Sequence, residues 1–165
     1  MFDIQISNPV SSRTRNEDDR NLDEAIESIF PLQNEYAFII WNHIFIPLMY
    51  KYDLSVMIKD IIHLLNVLRV KQEGKENINW PSNTFSSSWA IEFDLSKVKI
   101  NASWHNVLGK VTDLLNASNN IEVSRQEFIE KWMNLLLFIK IKLEHAGYDS
   151  TNLKDFHELK ALFEE

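Results

Sequence analysis

Residues 89–104 read Trp-Ala-Ile-Glu-Phe-Asp-Leu-Ser-Lys-Val-Lys-Ile-Asn-Ala-Ser-Trp, and this stretch decides the fold class. Apolar residues occupy every second position up to Leu95 and again from Val98 onward, with polar residues between them. Successive side chains of a strand point to opposite faces, so the alternation buries one face and leaves the other in water. Ser96 and Lys97 mark a reversal, and the pattern therefore predicts a hairpin with strands at residues 89–95 and 98–103.

The rest of the chain predicts one further strand and several helices. Residues 2–7 alternate in the same way, whereas other segments repeat apolar residues at helical spacing. We expect a single α+β domain over residues 1–165, with polar loops near 8–21 and 71–88. Its small antiparallel sheet of about three strands would pack against a layer of five to six helices. The segments read as helices are 22–30, 34–46, 55–70, 104–115, 124–146 and 152–163.

The composition predicts a cytoplasmic protein with no membrane segment. The chain has no cysteine, and its first residues lack the basic and apolar regions of a signal peptide. The longest apolar stretch, residues 36–50, is shorter than the roughly 20 residues that a membrane span needs. It is also interrupted by Asn42, His43 and Pro47. We read this stretch as part of the core.

The net charge of −7 bears on the kind of partner. Binding to a phosphate backbone requires clustered lysine and arginine, so an acidic chain is not expected to bind nucleic acid directly. An acidic surface instead attracts a basic partner, or only keeps the protein dissolved. Both explanations stay open from composition alone.

The sequence contains no complete motif for catalysis, metal binding or cofactor binding. His157-Glu158 opens like a zinc-binding helix motif, but Ala161 occupies the position that the second histidine requires. The three glycines are isolated, which excludes the glycine-rich phosphate cradles, and no nucleophile motif occurs. We therefore predict no enzymatic activity, no metal and no cofactor.

The candidate contact residues for a protein partner are acidic or aromatic. The first group is an acidic run before the first helix, which also suits a solvated helix start. The second lies on the polar face of the predicted hairpin, and the third consists of aromatics in the loop near 71–88. Loop aromatics are enriched at interfaces, although they also fold back onto their own domain. The selected residues are Glu17, Asp18, Asp19, Glu92, Asp94, Trp80 and Phe85.

Two segments carry a family resemblance. They are the hairpin from Trp89 to Trp104 and the tryptophan-containing helix Phe128-Ile-Glu-Lys-Trp-Met-Asn-Leu-Leu-Leu-Phe138. With the acidity, size and lack of cysteine, the chain resembles the small cytoplasmic immunity proteins of bacterial contact-dependent inhibition and related polymorphic toxin systems. The resemblance implies one partner, the C-terminal domain of a cognate toxin. That domain is often a nuclease with a basic active cleft, which an acidic protein can occupy.

The function predicted from the sequence is therefore a non-enzymatic binding protein that neutralises a basic toxin domain by occluding its cleft. Two alternatives stay open. One is a small cytoplasmic enzyme whose site is assembled from scattered residues without a motif. The other is a general protein-interaction adaptor.

Overall fold

Two antiparallel sheets form the β part of the protein in the computed structural model, which describes residues 1–164. The first sheet has the strand order β1-β2-β3 and the second has the order β4-β5-β6-β7. The strands are β1 (Phe2–Gln5), β2 (Tyr36–Trp41), β3 (Ile44–Met49), β4 (Gly74–Pro81), β5 (Phe85–Phe93), β6 (Lys97–Val107) and β7 (Asn120–Ser124). The helices are α1 (Leu22–Ile29), α2 (Ser55–Val70), α3 (Thr112–Ala117), α4 (Arg125–Ala146) and α5 (Phe156–Ala161), and a π-helical turn (Tyr50–Leu54) precedes α2.

The prediction of one three-stranded sheet is wrong, although the hairpin at its centre exists. Phe93 pairs with Val98, and the pairing continues along β5 and β6 as the alternation requires. The N-terminal strand β1, however, pairs with β2 in the other sheet. Alternation shows that a segment is a strand, but it does not specify which strand lies beside it.

Residues 34–46, which we expected to be a helix, instead contribute to the β2–β3 hairpin. Asn42 and His43 form its two-residue turn with φ angles of 47° and 68°, the left-handed values that tight hairpin turns need. Ile39 points into the core, whereas Ile40 is buried outside the main core cluster and Phe45 is 53 % exposed. Both faces of the hairpin are thus apolar, and such a run looks like a buried helix in the sequence.

Residues 71–88, which we expected to be a polar loop, contain β4 and the beginning of β5. Ile78 and Trp80 point inward, but Gly74 and Glu76 occupy the two earlier inward positions. In β4, therefore, only two of the inward positions carry large apolar side chains. Polar residues at the remaining positions gave the segment the composition of a loop.

Helical spacing and capping residues located α2 and α4 correctly. At the start of α4 the Ser124 side chain accepts a hydrogen bond from the Glu127 N–H at 3.5 Å, and Gly147 ends the helix with φ 94°. The helix expected over residues 104–115 is wrong, because β6 continues to Val107 and α3 begins only at Thr112. Within residues 1–164, no helix combines the length and the apolarity needed to cross a membrane.

All five tryptophans meet in one cluster between the two sheets and α4. The ring centroids of Trp80 and Trp89 are 4.4 Å apart, and those of Trp41 and Trp104 are 5.1 Å apart. Trp132 of α4 lies 6.2 Å from Trp80. These rings belong to a single hydrophobic cluster that includes residues of both sheets and of all five helices. The cluster therefore holds the two sheets and the helices together as one packed body.

Candidate binding surface along helix α2

The two aromatic residues selected as partner contacts are core residues. Trp80 is 1 % exposed and Phe85 is 0 % exposed, and their ring centroids lie 5.8 Å apart beneath the second sheet. The expectation that they lie exposed in a loop is wrong. Because they occupy inward positions of β4 and β5, neither side chain can reach a partner of the folded protein.

The acidic run before α1 is only partly at the surface. Glu17 and Asp18 are exposed, but Asp19 is 7 % exposed and its carboxylate accepts a hydrogen bond from the Tyr148 hydroxyl. The expectation that Asp19 contacts a partner is therefore wrong. Burial and this hydrogen bond raise the pKa of Tyr148 to about 12. Asp19 anchors the segment before α1 to the segment after α4.

The two hairpin carboxylates lie together at the tip of the second sheet, as the sequence predicted. Glu92 and Asp94 line a common hollow of about 140 Å³. The Lys75 ammonium pairs with Glu92 and lowers the pKa of that carboxyl. Hydrogen bonds from the Ser96 N–H (2.7 Å), the Ser96 hydroxyl and the Lys97 N–H lower the pKa of Asp94. Asp94 therefore also shapes the turn.

The exposed acidic candidates do not form one continuous patch. Asp94 is linked to Arg125 at the start of α4, whereas Asp19 is linked to Tyr148 just beyond its end. At 1.5 Å per residue, the 22 residues of α4 separate these points by roughly 33 Å. Glu17 and Asp18 thus lie at one end of the molecule, and Glu92 and Asp94 lie at the other.

Arg125 joins the end of α2 to the tip of the β5–β6 hairpin. Its guanidinium donates hydrogen bonds to the carbonyl of Asp94 at 2.7 Å and to three carbonyls at the end of α2, those of Leu68, Lys71 and Gln72. Val70 and Leu95, the most exposed large hydrophobic residues at 83 % and 73 %, therefore lie at the same end of the protein. Neither residue was predicted from the sequence to be a contact. Leu95 continues the apolar alternation of β5, which predicts a buried side chain, and Val70 is the last residue of α2.

Three hollows lie near α2: residues of α2 and β4 contribute to the first two, and the third is lined by the segment after α2 and by the β5–β6 turn. We call this region the α2–β4 seam. On α2, Val56, Asp60, His63 and Leu64 follow spacings of three and four residues and so share one side of the helix. The hollow at the helix start is about 410 Å³, the middle one about 250 Å³ and the one beyond the helix end about 470 Å³. The 16 residues of α2 account for roughly 24 Å of the length of the seam.

The seam is predominantly acidic. Asp60 is half-buried, and burial raises the pKa of its carboxyl, an effect that a partner's cation would offset. Glu76 lies 3.5 Å from the Lys71 ammonium and 3.9 Å from His63, which offsets part of the charge. Within residues 1–164 no three metal-ligating side chains converge. The carboxylates that line the hollows are Glu27, Asp60, Glu73, Glu76 and Asp94.

The outer face of the second sheet is a weaker candidate. It carries a hollow of about 500 Å³, but charges of opposite sign alternate across its four strands. Polar side chains on the solvent face of an antiparallel sheet are ordinary, and the paired charges leave little net field. The row of charged residues that pair across the strands is Lys75, Glu92, Lys99 and Glu122.

Protein-family models, curated proteins and solved structures give no significant match to the chain. The geometry of the α2–β4 seam and the net charge are therefore the observations that bear on function.

Proposed function

We propose that the protein is a non-enzymatic binding protein that neutralises a basic protein partner through the α2–β4 seam. The observation that carries this proposal is the combination of exposed apolar residues at both ends of the seam with acidic hollows along it. Val70 and Leu95 are exposed at one end, and Tyr52 and Val56 are 37 % and 44 % exposed at the other. Protein interfaces likewise combine apolar contact area with polar groups, although here the apolar residues lie at the ends of the surface.

The charge of the seam supports a basic partner. Of the five carboxylates that line its hollows, only Glu76 forms an ion pair with a lysine of residues 1–164, namely Lys71 at 3.5 Å. A positively charged surface would complement this field, and complementary fields raise the rate of association and exclude partners of the same sign. The chain's net charge of −7 acts in the same direction at longer range.

The family resemblance supplies the identity of the partner within this proposal. The partner would be the C-terminal toxin domain of a bacterial contact-dependent inhibition system, and the cytoplasm would be the place of encounter. A nuclease fits best, because its cleft must attract a polyanion and is therefore basic. Occupation of that cleft by the seam would block the substrate, and this chain would need no chemistry of its own.

Co-expression tests the proposal. The protein should protect cells from the toxin domain encoded beside its gene, and the purified proteins should form a complex. Failure of the wild-type protein to protect would remove the proposed function, and binding without protection would favour an adaptor. The seam is tested with Glu73→Lys, which should weaken the complex. Glu158→Lys, an equal charge change on the exposed side of α5, serves as the matched control. Equal protection by both variants would exclude the seam as the contact.

A further inference from the structure

A buried carboxylate lies behind the hollow at the start of α2. Asp53, in the π-helical turn, is 0 % exposed, and it accepts hydrogen bonds from the Met49 N–H at 2.7 Å and the Thr84 hydroxyl at 2.5 Å. It also accepts a hydrogen bond from the Ser82 hydroxyl. No lysine or arginine of residues 1–164 lies within ion-pair distance of this carboxylate. Its charge is therefore balanced by hydrogen-bond donors alone.

This arrangement sets the polarity of the hollow. Ser82 and Thr84 line it, and each hydroxyl has a single hydrogen. Both hydroxyls lie closer to Asp53 than the 3.3 Å that separates their oxygens, so both hydrogens are directed at the carboxylate. Ser82 and Thr84 therefore direct no hydroxyl hydrogen into the hollow, and one lone pair of Ser82 already accepts the Thr84 N–H at 3.3 Å. Together with the carboxylate of Glu27 they make an acceptor-rich lining.

The walls of the hollow can contact the aliphatic part and the planar head group of a long cationic side chain. Tyr52, Val56 and Pro81 are exposed and provide an aromatic ring and apolar surface. A cation of the chain itself already lies beside this ring. The Lys51 ammonium is 5.5 Å from the centroid of the Tyr52 ring and 2.9 Å from the carbonyl oxygen of Glu27. The neighbourhood therefore stabilises positive charge in the free protein.

We propose that this hollow receives an arginine side chain of the basic partner, an inference that rests on the proposed function. The acceptors come from separate elements, so a planar guanidinium with five N–H donors can use several of them at once. The guanidinium also stacks on aromatic rings and is more weakly hydrated than an ammonium. At about 410 Å³ the open hollow is near the lower end of ligand pockets, which suits one inserted side chain.

The probe is N-acetyl-arginine amide, with N-acetyl-citrulline amide as the neutral analogue of the same shape. In two-dimensional NMR of the full chain, the arginine probe should shift the amide signals of Tyr52, Asn83 and Thr84. The citrulline probe should bind at least about tenfold more weakly, because it lacks the charge. Equal binding of the two probes, or shifts confined to other regions, would overturn the proposal.

Glu27→Gln keeps the side-chain shape and should weaken arginine binding about fivefold or more. Glu158→Gln removes one exposed charge that does not line the hollow and should change nothing. An unchanged affinity in Glu27→Gln would reject the arginine site.

The two proposals also fail separately. If Glu27→Gln binds the toxin domain as the wild type does while Glu73→Gln binds it more weakly, the arginine site is wrong and the proposed function stands. If the probe binds but the toxin domain does not, the proposed function is wrong.

Discussion

The guanidinium of Arg125 donates a hydrogen bond to the carbonyl oxygen of Asp94 at 2.7 Å, which ties the start of α4 to the tip of the second sheet. Arg125 is 9 % exposed. It also donates hydrogen bonds to carbonyls at the end of α2, where C=O groups have no hydrogen-bond donor within the helix. Its position 5.5 Å from the centroid of the Phe93 ring adds a cation–π contact. One residue thus fixes the relative position of Val70 and Leu95.

Arg125→Lys should destabilise the protein by about 2 kcal/mol, because an ammonium cannot reach carbonyls in four directions and leaves some of them buried without a donor. For a domain of this size the melting temperature should fall by about 4–8 °C. Arg13→Lys, at an exposed position, should stay within about 0.5 kcal/mol and is the control. An Arg125→Lys variant as stable as the control would contradict the bridging role.

Trp80 and Leu95 should respond in opposite ways to substitution. Trp80→Phe removes volume from the core and should cost about 1–3 kcal/mol of stability while leaving affinity for the proposed toxin partner unchanged. Leu95→Ala should leave stability within about 0.5 kcal/mol but weaken binding at least fivefold, which is about 1 kcal/mol. Chemical denaturation and calorimetric titration of the two variants measure both quantities. Weaker binding by a stable Trp80→Phe protein would show that Trp80 contributes to the interface.

Tyr148 should make the protein sensitive to alkali. Its pKa is about 12 in the folded protein against 10.0 for an ordinary tyrosine, so the unfolded chain loses this proton first. The stabilisation is therefore complete below pH 10 and is lost as pH rises toward 12. The loss amounts to at most about 3 kcal/mol. Tyr148→Phe should show a smaller fall in unfolding free energy over this range than the wild type. An equal fall would show that Tyr148 does not cause it.

Glu73 should act mainly on the rate of association. It lines the hollow beyond the end of α2, is exposed, and contributes to the field that a basic partner meets first. Glu73→Gln should slow association with the toxin domain and reduce its dependence on salt, with a smaller effect on dissociation. Stopped-flow measurements at low and high salt test this, with Glu158→Gln as the control for net charge. Association that does not respond to salt would rule out steering.

The parts of the fold that the sequence predicted correctly depend on local signals. Asn21 caps α1 by accepting a hydrogen bond from the Glu24 N–H at 3.1 Å, and Ser124 and Gly147 delimit α4. These features involve residues within a few positions of each other, so spacing alone reveals them. The β2–β3 hairpin was missed because Ile40 and Phe45 place apolar side chains on a face that antiparallel sheets usually leave polar.

The candidate site was predicted less well, because its residues depend on long-range contacts. Tyr148 buries Asp19 from 129 positions away, a separation that no local pattern encodes. Leu95 continues the alternation of β5, but the Asp94 N–H bonds to the Lys97 carbonyl at 3.0 Å and closes the turn around it. Leu95 therefore leaves the strand at the position where the alternation would bury it. Only the three-dimensional contacts of Arg125 bring the turn that carries Leu95 to the end of α2.

The tryptophan cluster has a consequence for the order in which the chain can fold during synthesis. Trp41 is made early, but its cluster also needs rings that follow much later, and Trp132 comes 91 residues after it. At typical ribosomal speeds this interval lasts roughly 5–20 s. Throughout it the β2–β3 hairpin exposes apolar side chains on both faces, with no α4 and an incomplete second sheet. The most apolar stretch of the chain is thus complete well before the partners that cover it have been made.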